Sequence, residues 1–162
     1  MPTTQPAQPA QPAQPVKLVL DCDPGLDDAL AILLAHSDPT LELVAMTTVG
    51  GNVALDTTTR NALELREHLG LTDVPIASGA SGPLVRDTKN AAEVHGIGGI
   101  GDVTLAPATL PLDNRSAVDL IIETLRDAPG EVHLVAIGPL TNIALALRKE
   151  PRITEWAASF VI

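Results

Sequence analysis

From Val16 onward, short apolar runs alternate with longer amphipathic stretches, strand then helix, four times over. Neighbouring strands that run parallel need a crossover of a dozen or more residues, and a helix is the usual way to make it. The alternation therefore predicts an α/β fold: an open, mostly parallel, Rossmann-like sheet with helices on both faces. Strands are read at Val16–Leu20, Leu41–Val49, Val74–Ala77 and Val132–Ile137. Helices are read at Leu26–Ala35, Val53–Leu69, Ser116 to about Ala128, and Leu140–Lys149. Gly70 sits where a C-terminal stop belongs, and Ser116 with Asp119 has the spacing of a capping box. Ser78–Pro111 holds five glycines between Gly79 and Gly99. It predicts a long loop with room for one short helix, and long loops inside compact domains are where function concentrates.

Ahead of the first strand, Gln-Pro-Ala repeats from Gln5 to Ala13, and five of the fourteen prolines fall in the first fifteen residues. Such a run favours extended, solvated chain and builds no core. Residues 1–15 are expected to be a disordered tail, and residues 16–162 the N-terminal part of a folded domain. At the other end, Ala157–Ile162 reads as the start of a further apolar strand, so the chain is expected to be the front part of something longer. With 10 Lys+Arg against 20 Asp+Glu and a formal charge of -10, there is no positive footprint for nucleic acid or for an anionic membrane surface. No apolar run approaches the roughly 18 residues that span a bilayer, and the N-terminus lacks the pattern of a secretory signal. A single cysteine agrees with a reducing compartment, so a cytoplasmic location is expected. One Trp, one Phe and no Tyr leave few anchors for protein recognition.

The chemistry concentrates in DCDPGLDDA, Asp21 to Ala29, where four carboxylates fall within eight residues at the C-terminal end of the first strand. That edge is where open parallel sheets place their ligand crevice. Alternation puts Asp21 and Asp23 on one side of the strand and Cys22 on the other. Two carboxylates about 5 Å apart repel by roughly 3 kcal/mol at an effective dielectric of ~20, so the cluster opposes folding unless something positive sits in it. A hard divalent cation answers this, and all-oxygen ligands favour Ca²⁺ or Mg²⁺ over Zn²⁺. The plainer alternative has Asp27 and Asp28 favouring a helix N-terminus while Asp21 caps a turn. Asp23, which precedes the turn and faces the crevice, does not fit it.

DCDPGLDDA resembles the N-terminal signature of the inosine-uridine-preferring nucleoside hydrolases, whose first strand ends in Asp-x-Asp-Pro-Gly-x-Asp-Asp. Further segments match in order: TTVGGNV (Thr47–Val53) with TTRNA (Thr58–Ala62), then EVHGIGGIGD (Glu93–Asp102), then AIGPLTNIALAL (Ala136–Leu147) leading to EPRI (Glu150–Ile153). The resemblance implies Ca²⁺-dependent hydrolysis of the N-glycosidic bond of ribonucleosides. It implies Asp23 as Ca²⁺ ligand and general base toward water, Asp28 as bidentate ligand, and the Ile137 carbonyl as a further ligand. It also implies Asp27 and Asn52 as contacts to the sugar, His95 beside the base, and Asp21 in support behind them. Members continue past the strand beginning at Ala157, and their second half supplies another Ca²⁺-binding Asp, further Asn contacts and often a leaving-group His. The site is accordingly expected to be incomplete and the domain truncated, with homo-oligomers expected of the full-length form. The face normally covered by the second half is expected to be apolar.

A haloacid-dehalogenase-like phosphatase also places Asp-x-Asp after its first strand, but Pro24-Gly25 and the acids at Asp27 and Asp28 argue against it. A non-catalytic chain that binds Ca²⁺ and ribose is the third reading. His36 and His68 read as favourable charges near helix C-termini, His133 as a strand residue without a role, and Cys22 as an inert buried thiol. The Gly50-Gly51 and Gly96-x-Gly98-Gly99 runs lack a dinucleotide-binding register.

Overall fold

Five short, mostly apolar runs pair as a single sheet in the computed structural model, which describes residues 14–162. They are β1 (Val16–Cys22), β2 (Leu41–Thr48), β3 (Ile76–Ser78), β4 (Val132–Ala136) and β5 (Ser159–Val161). The order is β3-β2-β1-β4-β5 and every pair is parallel. Six helices connect them: α1 (Leu26–Ser37), α2 (Leu55–His68), α3 (Ala92–His95), α4 (Ala117–Asp127), α5 (Thr141–Lys149) and α6 (Ile153–Trp156). All but the last two residues of the expected tail lie outside the described residues.

Two apolar layers hold the sheet between its helices. On one face Leu20, Cys22, Met46 and Ile76 pack against Ile32 of α1 and Ala62 and Leu65 of α2. On the other, Val19, Ala45 and Leu134 meet Leu120, Ile121 and Leu125 of α4, Ile143 of α5 and Ile153 of α6. Burying each of these large side chains is worth about 1.5–3 kcal/mol, so the two layers carry most of the fold's stability. The register of β1 against β2 jumps from Leu18↔Leu43 to Val19↔Ala45, which leaves Val44 as a bulge. That extra residue puts Leu43 and Met46 in the α1/α2 layer with Val44 and Ala45 opposite, so strict alternation along LELVAMTT fails at this point.

The element ends follow local chemistry. Gly70 takes φ +72 just beyond α2, a conformation that glycine adopts without strain. Ser116 Oγ accepts the Asp119 N–H at 3.1 Å and opens α4. The expected elements are present with moved boundaries: α1 runs on to Ser37, the third strand spans Ile76–Ser78, and Val49 and Ile137 lie just past their strands. The single-turn α6, closed by the Thr154 hydroxyl on the Pro151 carbonyl, is too short for any periodicity to show. No helix among the described residues is long and apolar enough to cross a membrane. Apolar surface is nonetheless left bare: Leu26, Leu30, Leu33 and Leu34 of α1 are exposed, and a separate apolar groove runs between α5 and Phe160.

Candidate active site

β1 is the sheet's switch point. The chain builds outward from it to β2 and β3, then returns to place β4 on its other side, so the loops after β1, β2 and β4 converge on one crevice. Asp23 and Asp27, Gly51-Asn52 and Gly138 all stand at that edge. Past Cys22 the chain turns at Asp23-Pro24-Gly25 and enters α1, whose first turn carries Asp27 and Asp28. The Asp28 carboxylate folds back to accept the peptide N–H of Asp23 at 3.2 Å and of Gly25 at 3.3 Å. Part of the plainer reading therefore holds, because Asp28 does satisfy N–H groups at the helix start.

Asn52, just beyond Gly50-Gly51, ties the two acids together. Its peptide N–H donates to Asp23 Oδ2 at 2.6 Å, and its side-chain amide donates to the Asp23 carbonyl and to Asp28 Oδ2, each at 3.1 Å. Behind them Asp21 is fully buried. Its Oδ1 accepts from the Thr47 hydroxyl at 2.5 Å and from the Asn142 amide at 2.8 Å, while its Oδ2 has no partner. Two glycines bring backbone against Asp23: a Cβ on Gly51 would overlap Asp23 Oδ2, and one on Gly138 would stand 2.7 Å from Asp23 Oδ1. Asp23, Asp27, Asn52 and Ile137 line one cavity of about 340 Å³. Asp28 and Asp21 sit behind that wall. Ile137 is held there by its N–H donating to the Asp21 carbonyl at 2.9 Å. His95 is not on the cavity lining but packs against the start of α1, its Nδ1 accepting the Leu26 N–H at 3.2 Å and lying 3.8 Å from Asp27 Oδ1.

Burial dominates the electrostatics. It lifts the Asp28 carboxyl to about 7, with the Asp23 charge adding to the effect, and the Asp21 carboxyl to about 6 against the opposing bonds from Asn142 and Thr47. Asp23 is raised as well, again by burial first, with the Asn52 N–H pulling the other way. Among the described residues no Lys or Arg side chain bonds to any of the three. A buried, uncompensated set of hard oxygens, one of them an orphan, suits a hard cation in its donor chemistry. Among the described residues, however, no three His, Cys, Asp or Glu side chains gather round a single point, so the protein ligands present are few.

Sequence reasoning passed over four residues here. Lys89 and Asn90 form one wall of the cavity from within the long loop. Asn61 and Asn142, both inside matched motifs, act from behind. Asn61 bridges the Pro24 and Gly98 carbonyls, and Asn142 joins Asp21 to the Thr48 carbonyl and the Ala80 N–H. A buried Asn near a helix start, one turn past Gly138-Pro139, was the available signal for Asn142. Cys22 is buried as expected, its thiol directed at the Thr47 carbonyl and its pKa raised well above the usual thiol value by burial. His133 pairs with the Ser159 hydroxyl at 2.7 Å, within the sheet and away from the acids.

Fold and site together define an open α/β protein with a polyanionic, oxygen-lined crevice at its switch point. The chain belongs to the inosine-uridine preferring nucleoside hydrolase family, whose model matches residues 18–162. It is 49% identical over 149 residues to the inosine-uridine preferring nucleoside hydrolase of Crithidia fasciculata and 47% identical over 148 residues to that of Leishmania major. In each case the match covers 90% of this chain and 47% of the relative. Among solved structures, a plant nucleoside hydrolase superposes with a TM-score of 0.85 at 36% identity, covering 90% of this chain and 46% of that one. The chain thus spans about half the length of the curated relatives it matches. Membership also decides against the haloacid-dehalogenase-like alternative.

Proposed function

We propose that this chain carries the cation-binding and sugar-holding share of a site that hydrolyses ribonucleosides to free base and ribose. The observation that carries the reading is Asp23 on the wall of a glycine-lined crevice with the buried Asp28 and Asp21 behind it, in a member of this family. Asp23, Asp28 and the Ile137 carbonyl would hold Ca²⁺, which when bound supplies the positive charge that acidifies a water and gathers the ribose 2′ and 3′ hydroxyls.

The chain's own residues then divide the work. Cleavage of the C1′–N bond builds positive charge on the sugar, and carboxylates close to it stabilise that charge. Asp23 accepts a proton from the attacking water as the water oxygen bonds to C1′, while the base leaves with the bonding electron pair and takes up a proton from solvent. Asp23 suits this task because the Gly51 and Gly138 backbones and the Asn52 N–H fix its carboxylate in place. Asp27, exposed at the rim, accepts hydrogen bonds from sugar hydroxyls. Asn52 has its amide nitrogen committed to Asp23 and Asp28, so it offers its carbonyl oxygen. Asp21 stands behind Asp23, and the charges of the two carboxylates oppose one another.

The test is calorimetric titration of Ca²⁺ into the chelator-stripped chain, beside an Asp23→Ala/Asp28→Ala double variant, with ribose release from inosine and uridine assayed in the same samples. Binding that the variant abolishes supports the half-site, and release abolished with it supports the reaction. Absence of binding by the unaltered chain sinks the reading.

A further inference from the structure

His95 and the glycine-rich turn after it are sewn to the acid crevice by bonds that fix more than position. Leu26 is the first residue of α1, and its N–H is one of the donors a helix start leaves unpaired. That N–H points at His95 Nδ1 at 3.2 Å. A peptide N–H can only donate, so Nδ1 must present its lone pair and the ring proton must reside on Nε2. Asp27 Oδ1, at 3.8 Å from the same nitrogen, would favour a proton there. It lies beyond hydrogen-bond distance and its side chain is 78% exposed, so water screens it and the Leu26 donor decides.

One buried side chain holds this arrangement. The Asn61 amide nitrogen donates to the Pro24 carbonyl at 3.0 Å, two residues before Leu26, and to the Gly98 carbonyl at 2.8 Å, three residues after His95. Both partners are acceptors, so the NH₂ end of the amide must face them. The turn it grips closes on itself, with the Gly101 N–H donating to the His95 carbonyl at 2.8 Å. Gly99 adopts φ +84 there, and a Cβ on it would stand 2.8 Å from the Asn61 amide nitrogen. Asn61 therefore spans the two segments whose separation sets the Leu26–His95 bond.

We propose that Asn61 is a positioning residue that holds His95 as its Nε2–H tautomer. His95 thereby presents its Nε2–H as a hydrogen-bond donor, and a proton could occupy Nδ1 only by breaking the Leu26 bond. What that donor meets rests on the nucleoside reading above; the tautomer and the role of Asn61 do not, and their test needs neither cation nor substrate.

The experiment is NMR on the uniformly ¹⁵N-labelled chain at a pH where imidazoles are neutral, with the four histidines assigned through single His→Gln variants. The expected result is an Nε2–H pattern for His95 together with a nitrogen–nitrogen coupling across the hydrogen bond from the Leu26 amide to Nδ1. In Asn61→Ala the coupling disappears and the His95 pattern becomes a mixture of tautomers, while the His133 signals stay unchanged. Gly99→Ala, which displaces the same turn from the other side, gives the same loss and serves if Asn61→Ala does not fold. A folded native chain without the coupling, or with a protonated Nδ1, overturns the tautomer. A coupling that survives in a folded variant overturns the role of Asn61.

Discussion

Asn142→Ala is the most incisive single change to the architecture behind the acids. The side chain is fully buried and makes three hydrogen bonds: to Asp21 Oδ1 at 2.8 Å, to the Thr48 carbonyl at 3.0 Å, and from the Ala80 N–H at 2.9 Å. A hydrogen bond to a charged group is worth about 2 kcal/mol and each neutral one about 1 kcal/mol, so truncation removes about 4 kcal/mol. Against a typical total of about 5–15 kcal/mol, that loss is severe. It also depends on pH. The Asn142 bond lowers the Asp21 carboxyl, which burial still holds at about 6, so without Asn142 it rises further. At pH 8 the variant must bury a less compensated charge, whereas at pH 5 Asp21 is protonated in both proteins, so the difference between them shrinks. Urea unfolding of both proteins in chelator at pH 5 and pH 8 measures it. A loss below about 1 kcal/mol, or one equal at the two pH values, refutes the reasoning.

Four further outcomes follow from the same structure. In chelator the native chain loses stability as pH rises: Asp21 and Asp28 titrate at about 6 and about 7 when folded but near 3.8 when unfolded, so the favourable contribution is complete below about pH 4 and gone above about pH 7. Saturating Ca²⁺ flattens that slope, and unfolding midpoints that rise with pH in chelator contradict it. Gly51→Ala sets a methyl group against Asp23 Oδ2 and is expected to weaken the proposed Ca²⁺ binding at least tenfold in calorimetry with little change in helical content; unchanged affinity refutes the cradle. Arg66→Met removes a buried guanidinium that donates to the Leu110 and Pro111 carbonyls, and faster hydrogen exchange is expected at the amides of Thr109, Leu110 and Leu112 without change at α4. A Leu30→Glu/Leu34→Glu double variant reduces self-association of the chain in light scattering, because those side chains form the exposed apolar stripe of α1. A monodisperse monomer before mutation counts against that assignment.

Periodic and local features were legible in the sequence, and contacts between distant segments were not. The four strand–helix units show because burial on one helix stripe or on a sheet face imposes a repeat that a single chain displays. Val44 breaks the repeat because a bulge is decided by the pairing with β1, which LELVAMTT alone does not encode. The acid cluster was legible because four carboxylates so close together oppose folding on their own. Asn61 and Asn142 were not, since each gains its meaning from carbonyls 37 and 94 residues away. Lys89 and Asn90 lie in a loop without period, and only the folding of that loop over Asn52, through the Ala91 N–H on the Asn52 carbonyl, brings them to the cavity.

The same terms that make the crevice unfavourable to fold make it suited to bind. Burial raises all three carboxyls, no Lys or Arg side chain among the described residues bonds to them, and Lys89 on the cavity wall is exposed. A cation entering that space meets carboxylates whose hydration has already been removed during folding, so its binding recovers energy that folding left unsatisfied. On this principle Asp28→Asn raises the unfolding midpoint at pH 8 in chelator and abolishes the additional rise expected of the native chain when Ca²⁺ is added. An Asp28→Asn variant that is less stable than the native chain in chelator, yet keeps its full response to Ca²⁺, would show that Asp28 serves the helix start alone.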